Sequence, residues 1–408
     1  MKITKIKLLS LAALSAAVLA GLSTDASALP AFARKYGLSC DVCHTSVPHL
    51  TRAGFEFRRQ GFRMPGELGQ EPKFDGLKDM YTLRMEQNFQ ADTHNKGQHK
   101  AATNQFITNE VGLHFLVGPI NKYWSTNTEL AYSPASGMDA GVIYVKGAYQ
   151  LDDGVMVSGR FGLMPSFEGY GGSDRPISSM GVMFRENSAV SNSGFDTLAA
   201  AWEQSRTGVD MDLNYKDTTL SFAAFNSRKE NLTEDGLVDV PNKKDFRLFV
   251  NQMLGDKAAV SAEYTAGRTG FDFGGGGAGG ATDWTDNYIK TALYANYAIA
   301  PKLELLGGLG YGQDYRAKAG ANDHPGIFHH SGWYAEAQSK LCPDFTGAFR
   351  YEEFRPTTEI TGSAITAMTF TGVVMPTSIV STRFDYQLKK SPGGTYDNTF
   401  LVNMMVLF

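Results

Sequence analysis

From Met80 to Phe408 one pattern recurs: apolar and polar residues alternate at every second position, in runs closed by turn residues. A period of two belongs to a strand with one face in an apolar and one in a polar medium. Tyr81, Leu83, Met85 and Phe89 alternate with Arg84, Glu86 and Asn88. Val111, Leu113, Phe115 and Val117 alternate with Glu110, Gly112 and His114. Leu303, Leu305, Gly307, Leu309 and Tyr311 share a face, and Val380, Thr382, Phe384, Tyr386 and Leu388 alternate with Ser381, Arg383, Asp385 and Gln387. At the end of the chain, Phe400, Val402, Met404, Val406 and Phe408 fall on one side. A soluble sandwich also alternates. It does not give so many strands of about ten residues, with aromatics near their ends and a terminal Phe; lipid outside and water within do.

The breaks give an independent test, because membrane barrels join strands by short periplasmic turns and longer outer loops. Short breaks fall at Gly118-Pro119, Asp152-Asp153-Gly154, Lys216-Asp217, Gly255-Asp256-Lys257, Ala300-Pro301, Cys342-Pro343-Asp344 and Met375-Pro376. Longer stretches lie between them, including Pro165 to Asp196, the glycine run Gly274 to Gly280, and Arg316 to His330. The expectation is an all-β chain: a 16-stranded antiparallel transmembrane β-barrel over residues 80–408, both barrel ends periplasmic. The Pro165 to Asp196 loop is long enough to fold inward and narrow the lumen or to cover the outside, and the sequence does not choose.

A chain of 408 residues with a formal charge of −4 shows no general affinity for nucleic acid. Lys2, Lys5 and Lys7, the apolar run Leu8 to Leu22 and the A-x-A site Ala26-Ser27-Ala28 read as an export signal over residues 1–28, leaving a mature chain from Leu29. No later segment is long and apolar enough for a transmembrane helix.

Residues 29–76 are of another kind. Three cysteines exclude a disulfide framework. Two of them form Cys40-Asp41-Val42-Cys43-His44, a C-x-x-C-H. In an exported chain this is the attachment signature of c-type haem: two thiols add to the vinyl groups and the following imidazole ligates the iron. The competing readings are a redox dithiol, a structural disulfide and half a zinc site. Zinc needs two more ligands, with only His49 near, and a thioredoxin-like use needs a βαβ context that is absent. Cys342 is left as a small buried or turn residue. His44 is therefore expected as the axial ligand of one covalent haem c on Cys40 and Cys43. Met64 is the candidate sixth ligand, against ordinary packing or a turn before Pro65; a thioether there raises the potential. His49, close in sequence, ranks below Met64 because it would have to cross the ring, and an open or water-bound sixth position is the further alternative.

Around the motif, Pro30 to Tyr36 reads as a short helix. A second is expected to start near Pro48, with Leu50, Ala53 and Phe57 on one face, and to stop at Gly61. Phe55, Phe57 and Phe62 offer apolar cover for a porphyrin. Arg34, Lys35, Arg52, Arg58, Arg59 and Arg63 suit haem propionates, although a solvated or lumen-facing basic surface explains them equally well. So short a segment seldom folds alone, and the barrel is the expected cover.

Leu29-Pro30-Ala31-Phe32-Ala33-Arg34, Gly37, Cys40, Cys43-His44, Pro48, Leu50-Thr51 and Gly54 resemble the fused outer-membrane monohaem cytochrome–porin family, best known from iron-oxidising bacteria. The resemblance implies a small helical cytochrome segment that plugs the barrel pore and passes electrons across the outer membrane, with Cys40 and Cys43 holding haem and His44 on the iron. The expected function is electron transfer between an extracellular donor, Fe(II) or another metal, and a periplasmic c-type cytochrome or other soluble carrier. The activity would be that of an Fe(II):cytochrome c oxidoreductase, needing no acid–base or nucleophilic residue. Alternatives are an outward metal or mineral reductase and a porin with a gating haem plug. His94, His99, His324, His329 and His330 fall in predicted outer loops near Asp92, Asp314 and Asp323, which suits capture of a divalent metal; an ordinary polar loop surface explains them as well.

Overall fold

The computed structural model describes residues 31–39, 42–46, 49–73, 79–94, 103–134, 137–165, 169–170, 176–186, 205–231, 236–272, 284–314, 317–319, 322–324, 327–356, 362–377, 379–392, 394 and 396–407. The export signal, Cys40, Pro48, His99 and Gly274 to Gly280 lie outside the described residues.

Sixteen strands close one antiparallel ring. The first eight are β1 (Tyr81–His94), β2 (Thr103–Pro119), β3 (Trp124–Ser133), β4 (Gly137–Asp152), β5 (Val155–Pro165), β6 (Ser205–Tyr215), β7 (Thr218–Asn231) and β8 (Gly236–Leu254). The others are β9 (Ala258–Asp272), β10 (Trp284–Ala300), β11 (Leu303–Asp314), β12 (Phe328–Cys342), β13 (Phe345–Arg355), β14 (Ile365–Thr377), β15 (Val380–Lys390) and β16 (Tyr396–Leu407). Pairing of β16 with β1, Val402 opposite Phe89, shuts the ring and leaves no edge.

The alternation read from sequence is the alternation of environments. On β8, Phe246, Leu248 and Val250 are exposed while Arg247, Phe249 and Asn251 are buried. Phe161 is 68% exposed on the outer surface, whereas its neighbour Arg160 is 3% exposed inside. An apolar exterior around a charged interior is the inverse of a soluble fold and fits a membrane.

Three local departures have physical causes. In β2 the register breaks between Phe115 and Gly118, with Leu116 at φ 51°. Leu116 therefore faces out and Val117 turns inward, against the expected common face. Pro376 does not end β14; the strand continues to Thr377, with the register broken between Val374 and Thr377, where a missing N–H costs no ladder bond. Two outer connections, β3–β4 and β7–β8, are short, because strand structure continues outward instead; β8 runs for 19 residues.

The β5–β6 connection folds inward. Val182, Met183 and Phe184 join Ala292, Tyr294, Leu306, Tyr334, Phe354, Ile365 and Ala367 in one core on the opposite wall. Ser178 donates to Asp385 at 2.8 Å, the Ser179 N–H to the same carboxylate at 2.9 Å, and the Met183 N–H to Glu352 at 2.7 Å. Arg350 donates to the carbonyls of Met180 and Gly181. Gly332 permits this approach: a Cβ there would stand 2.6 Å from that of Phe184.

Candidate functional site

The N-terminal segment lies inside the barrel, at the end with the short turns. Its first helix, α1 (Ala31–Tyr36), starts where the Ala31 N–H donates to Thr82 of β1 at 2.9 Å. Its second, α2 (Arg52–Arg59), begins later than Pro48, because Thr51 is the N-cap and accepts from the Gly54 N–H. Gln60 caps its end and Gly61 follows at φ 71°, as the sequence expects. The buried positions of α2 are Gly54, Phe55 and Phe57, while Ala53 is exposed. The expected Leu50–Ala53–Phe57 face is displaced because Gly54 is the residue pressed against the motif. A Cβ on Gly54 would meet the Cys43 carbonyl oxygen at 2.2 Å.

Around Cys43 the backbone is tied to α2. The Thr51 N–H donates to the Cys43 carbonyl at 2.9 Å and the Thr51 hydroxyl to the Val42 carbonyl at 2.7 Å. His44 opens a short ladder in which it pairs with Leu50. Cys43 is half-buried and in no disulfide, and burial pushes its thiol above the ordinary range. A free thiol held directly before an imidazole, in a backbone fixed by an N-cap, is the donor chemistry a c-type haem requires. The described half of the motif fits the group.

Met64 is partly buried against a cluster of Phe57, Phe62, Val142, Tyr144, Met164, Ala223 and Phe225. Its N–H donates to Glu67 at 2.8 Å, closing a turn. Phe32 stacks on Phe62, centroids 5.0 Å apart, and meets Phe57 edge-on at 4.9 Å. The phenylalanines thus join plug to wall, from β4, β5 and β7.

The basic residues are fasteners. Arg52 pairs with Asp217 at 2.7 Å and Asp256 at 2.8 Å, on the β6–β7 and β8–β9 turns. Arg34 donates to the Tyr81 carbonyl, Arg58 to the Gly169 carbonyl at 2.7 Å, and Arg63 to the carbonyls of Asn121 and Trp124. Arg59 pairs with Glu56. His49, 1% exposed, places Nε2 3.3 Å from Glu304 at the start of β11. Sequence reading missed this role of His49, since nothing local marks a residue whose partner lies across the barrel. Tyr36 donates to Glu67 at 2.9 Å; burial first, then that carboxylate, pushes its phenol up.

Among the described residues, the histidines expected in outer loops are not brought together. His329 and His330 belong to β12, not to a loop, and successive strand residues face opposite ways. His330 is buried inside and His329 stacks on Tyr311. His94 ends β1 and His324 ends a short hairpin strand. Among the described residues no group of His, Cys, Asp and Glu is placed to hold a metal. Cys342 is exposed at the end of β12, beside a turn.

No protein-family model and no curated protein matches the chain. Among solved structures it is similar to an anion-selective porin from Comamonas acidovorans, with a TM-score of 0.57 and 14% identity over 80% of this chain and 98% of that one. It is also similar to a loop-deletion form of OmpT, an outer membrane protein of Vibrio cholerae (TM-score 0.53, 13% identity, 80% and 99% covered). Salmonella typhi OmpF gives a TM-score of 0.51 at 9% identity, covering 80% of this chain and 97% of that one. With the closed ring and its apolar exterior, the fold is that of an outer-membrane porin-like barrel.

Proposed function

We propose that the chain is an outer-membrane electron conduit, in which one covalent c-type haem on Cys40 and Cys43, with His44 on the iron, serves between an extracellular donor and a periplasmic cytochrome. The observation that carries this reading is the seating of Val42 to His44, the described part of the C-x-x-C-H motif, in the short-turn mouth of a closed barrel. Haem, when bound, supplies a one-electron couple tuned by its ligands and their surroundings. The chain supplies the rest. Thr51 and Gly54 fix the motif backbone, and Arg52 and His49 hold the plug to the wall. The inward β5–β6 loop narrows the path from the outer mouth.

Cys43 is tied to Thr51, next to the Arg52 that pairs with Asp217 and Asp256 on the turns, which on this reading lie at the periplasmic rim of the barrel. A soluble carrier meets it there. An outer donor has to enter the lumen, which favours a small dissolved ion such as Fe(II). Met64 remains the candidate sixth ligand. Direction follows the partners' potentials, so outward reduction of a metal or mineral uses the same parts.

A second reading, a porin whose plug gates solute, is favoured by the charged lumen. The deciding experiment is an anaerobic visible spectrum of the detergent-purified protein before and after ferrous iron. Prompt reduction of a c-type haem is expected. A haem that dithionite reduces and iron does not would remove iron as donor, and rapid solute flux through proteoliposomes would then select the gated porin. Absence of covalent haem would end the conduit reading.

A further inference from the structure

Beneath the plug, between α2 and the wall of β4 to β8, lies a chamber of about 20 Å³. That is room for one water-sized or halide-sized particle. Arg58, Arg59, Lys146, Arg160 and Arg247 face the chamber, against two lining carboxylates, Asp210 and Asp212; Glu56 pairs with Arg59 and the charge of Glu263 acts on Arg247 from outside the lining, which leaves a smaller positive excess. Asp210 Oδ2 is engaged by Arg160, while its Oδ1 has no hydrogen-bond partner among the described residues. Asp212 accepts from Ser158 at 3.0 Å. Glu263 faces the same lumen without lining the chamber and accepts from Thr265 at 3.1 Å.

Arg247 is the residue left over. It is 3% exposed, and its ion pair with Asp210 is long at 3.5 Å, beyond a good charge-assisted hydrogen bond. Its Nε and Nη1 atoms have no hydrogen-bond partner among the described residues. A buried guanidinium with open donors strongly disfavours an empty or apolar surrounding. A water can accept from it but cannot offset the excess charge; an anion does both.

We propose that this chamber binds one small inorganic anion of halide size, held by the open donors of Arg247 and enclosed by the plug. The site is independent of haem, since all its lining comes from the chain's own residues. It couples the two parts of the molecule: Arg58 and Arg59 come with the plug, whereas Lys146, Arg160 and Arg247 come from the wall. An anion between them screens their mutual repulsion and favours the seated plug.

The test is a crystal of the full-length protein grown in bromide, read by bromine anomalous scattering, together with thermal melts in chloride, bromide and the bulky anion gluconate at equal ionic strength. The expected result is one anomalous peak beside Arg247, and a melting temperature higher in either halide than in gluconate. Arg247→Gln should abolish the halide preference. No anomalous peak in wild-type crystals, meaning that water alone fills the chamber, would overturn the proposal without recourse to a variant. So would an equal halide preference in Arg247→Gln. Neither outcome bears on the haem spectrum, so the two proposals fail separately.

Discussion

At the scale of single residues, the proposed haem attachment rests on Cys43 and His44. On the proposed attachment, replacing Cys43 with Ser removes one of two thioether positions, and haem staining on a denaturing gel should fall to background, whereas Cys342→Ser leaves it unchanged. Staining that survives Cys43→Ser would count against attachment at this motif. Tyr36 gives a pH prediction. Its proton is held more tightly in the folded plug than in an unfolded chain, first by burial and then by Glu67. The stability this lends is complete below the ordinary tyrosine value, about 10, and declines as pH rises above it. Hydrogen exchange of the segment around residues 31–73 should therefore quicken above about pH 10, and less so in Tyr36→Phe. Equal acceleration in both proteins would assign the effect to other groups. Cys43 was visible in the sequence through its motif, whereas the bond of Tyr36 to Glu67 was not. The anchoring of His49 was not visible, because its partner Glu304 is distant in the chain and meets it only after the ring closes.

At the scale of elements, α2 is held by apolar packing and by polar contacts of unequal worth. Phe57 is 7% exposed in the cluster shared with β4, β5 and β7. Phe57→Ala should weaken plug docking by about 3 kcal/mol, read as faster proteolysis of the segment with the barrel intact. Arg52 is partly exposed and its partner Asp256 mostly so. Solvent screening leaves Arg52→Ala a loss of about 1 kcal/mol or less. If the two variants released the plug equally, ion pairing rather than packing would be the main hold. The inward loop depends on Gly332. Adding one methyl there drives Phe184 away, at about 1–3 kcal/mol, and single-channel conductance of Gly332→Ala should exceed that of the wild type. The sequence marked this loop by length alone. Which way it folded depended on Asp385, Glu352 and Arg350, whose inward aim follows from strand register, not from proximity in the chain.

For the whole molecule, the ring is a consequence of exposed backbone: a sheet in lipid has to pair its last strand with its first. The intact protein should admit small sugars into swelling proteoliposomes more slowly than Arg52→Ala combined with His49→Ala. Equal rates would mean that the plug does not obstruct the path. The barrel, its sixteen strands and its short-turn end were legible in the order of residues, because a period of two and the spacing of turn residues are local properties. The C-x-x-C-H motif, too, is legible in the chain alone, because its three residues are neighbours in it. Tertiary structure decided where the plug sits, that its arginines serve as fasteners, that the β5–β6 loop turns inward and that His329 and His330 part. Those outcomes rest on which distant residues share one side of a closed surface, and a one-residue change of register reverses that sharing.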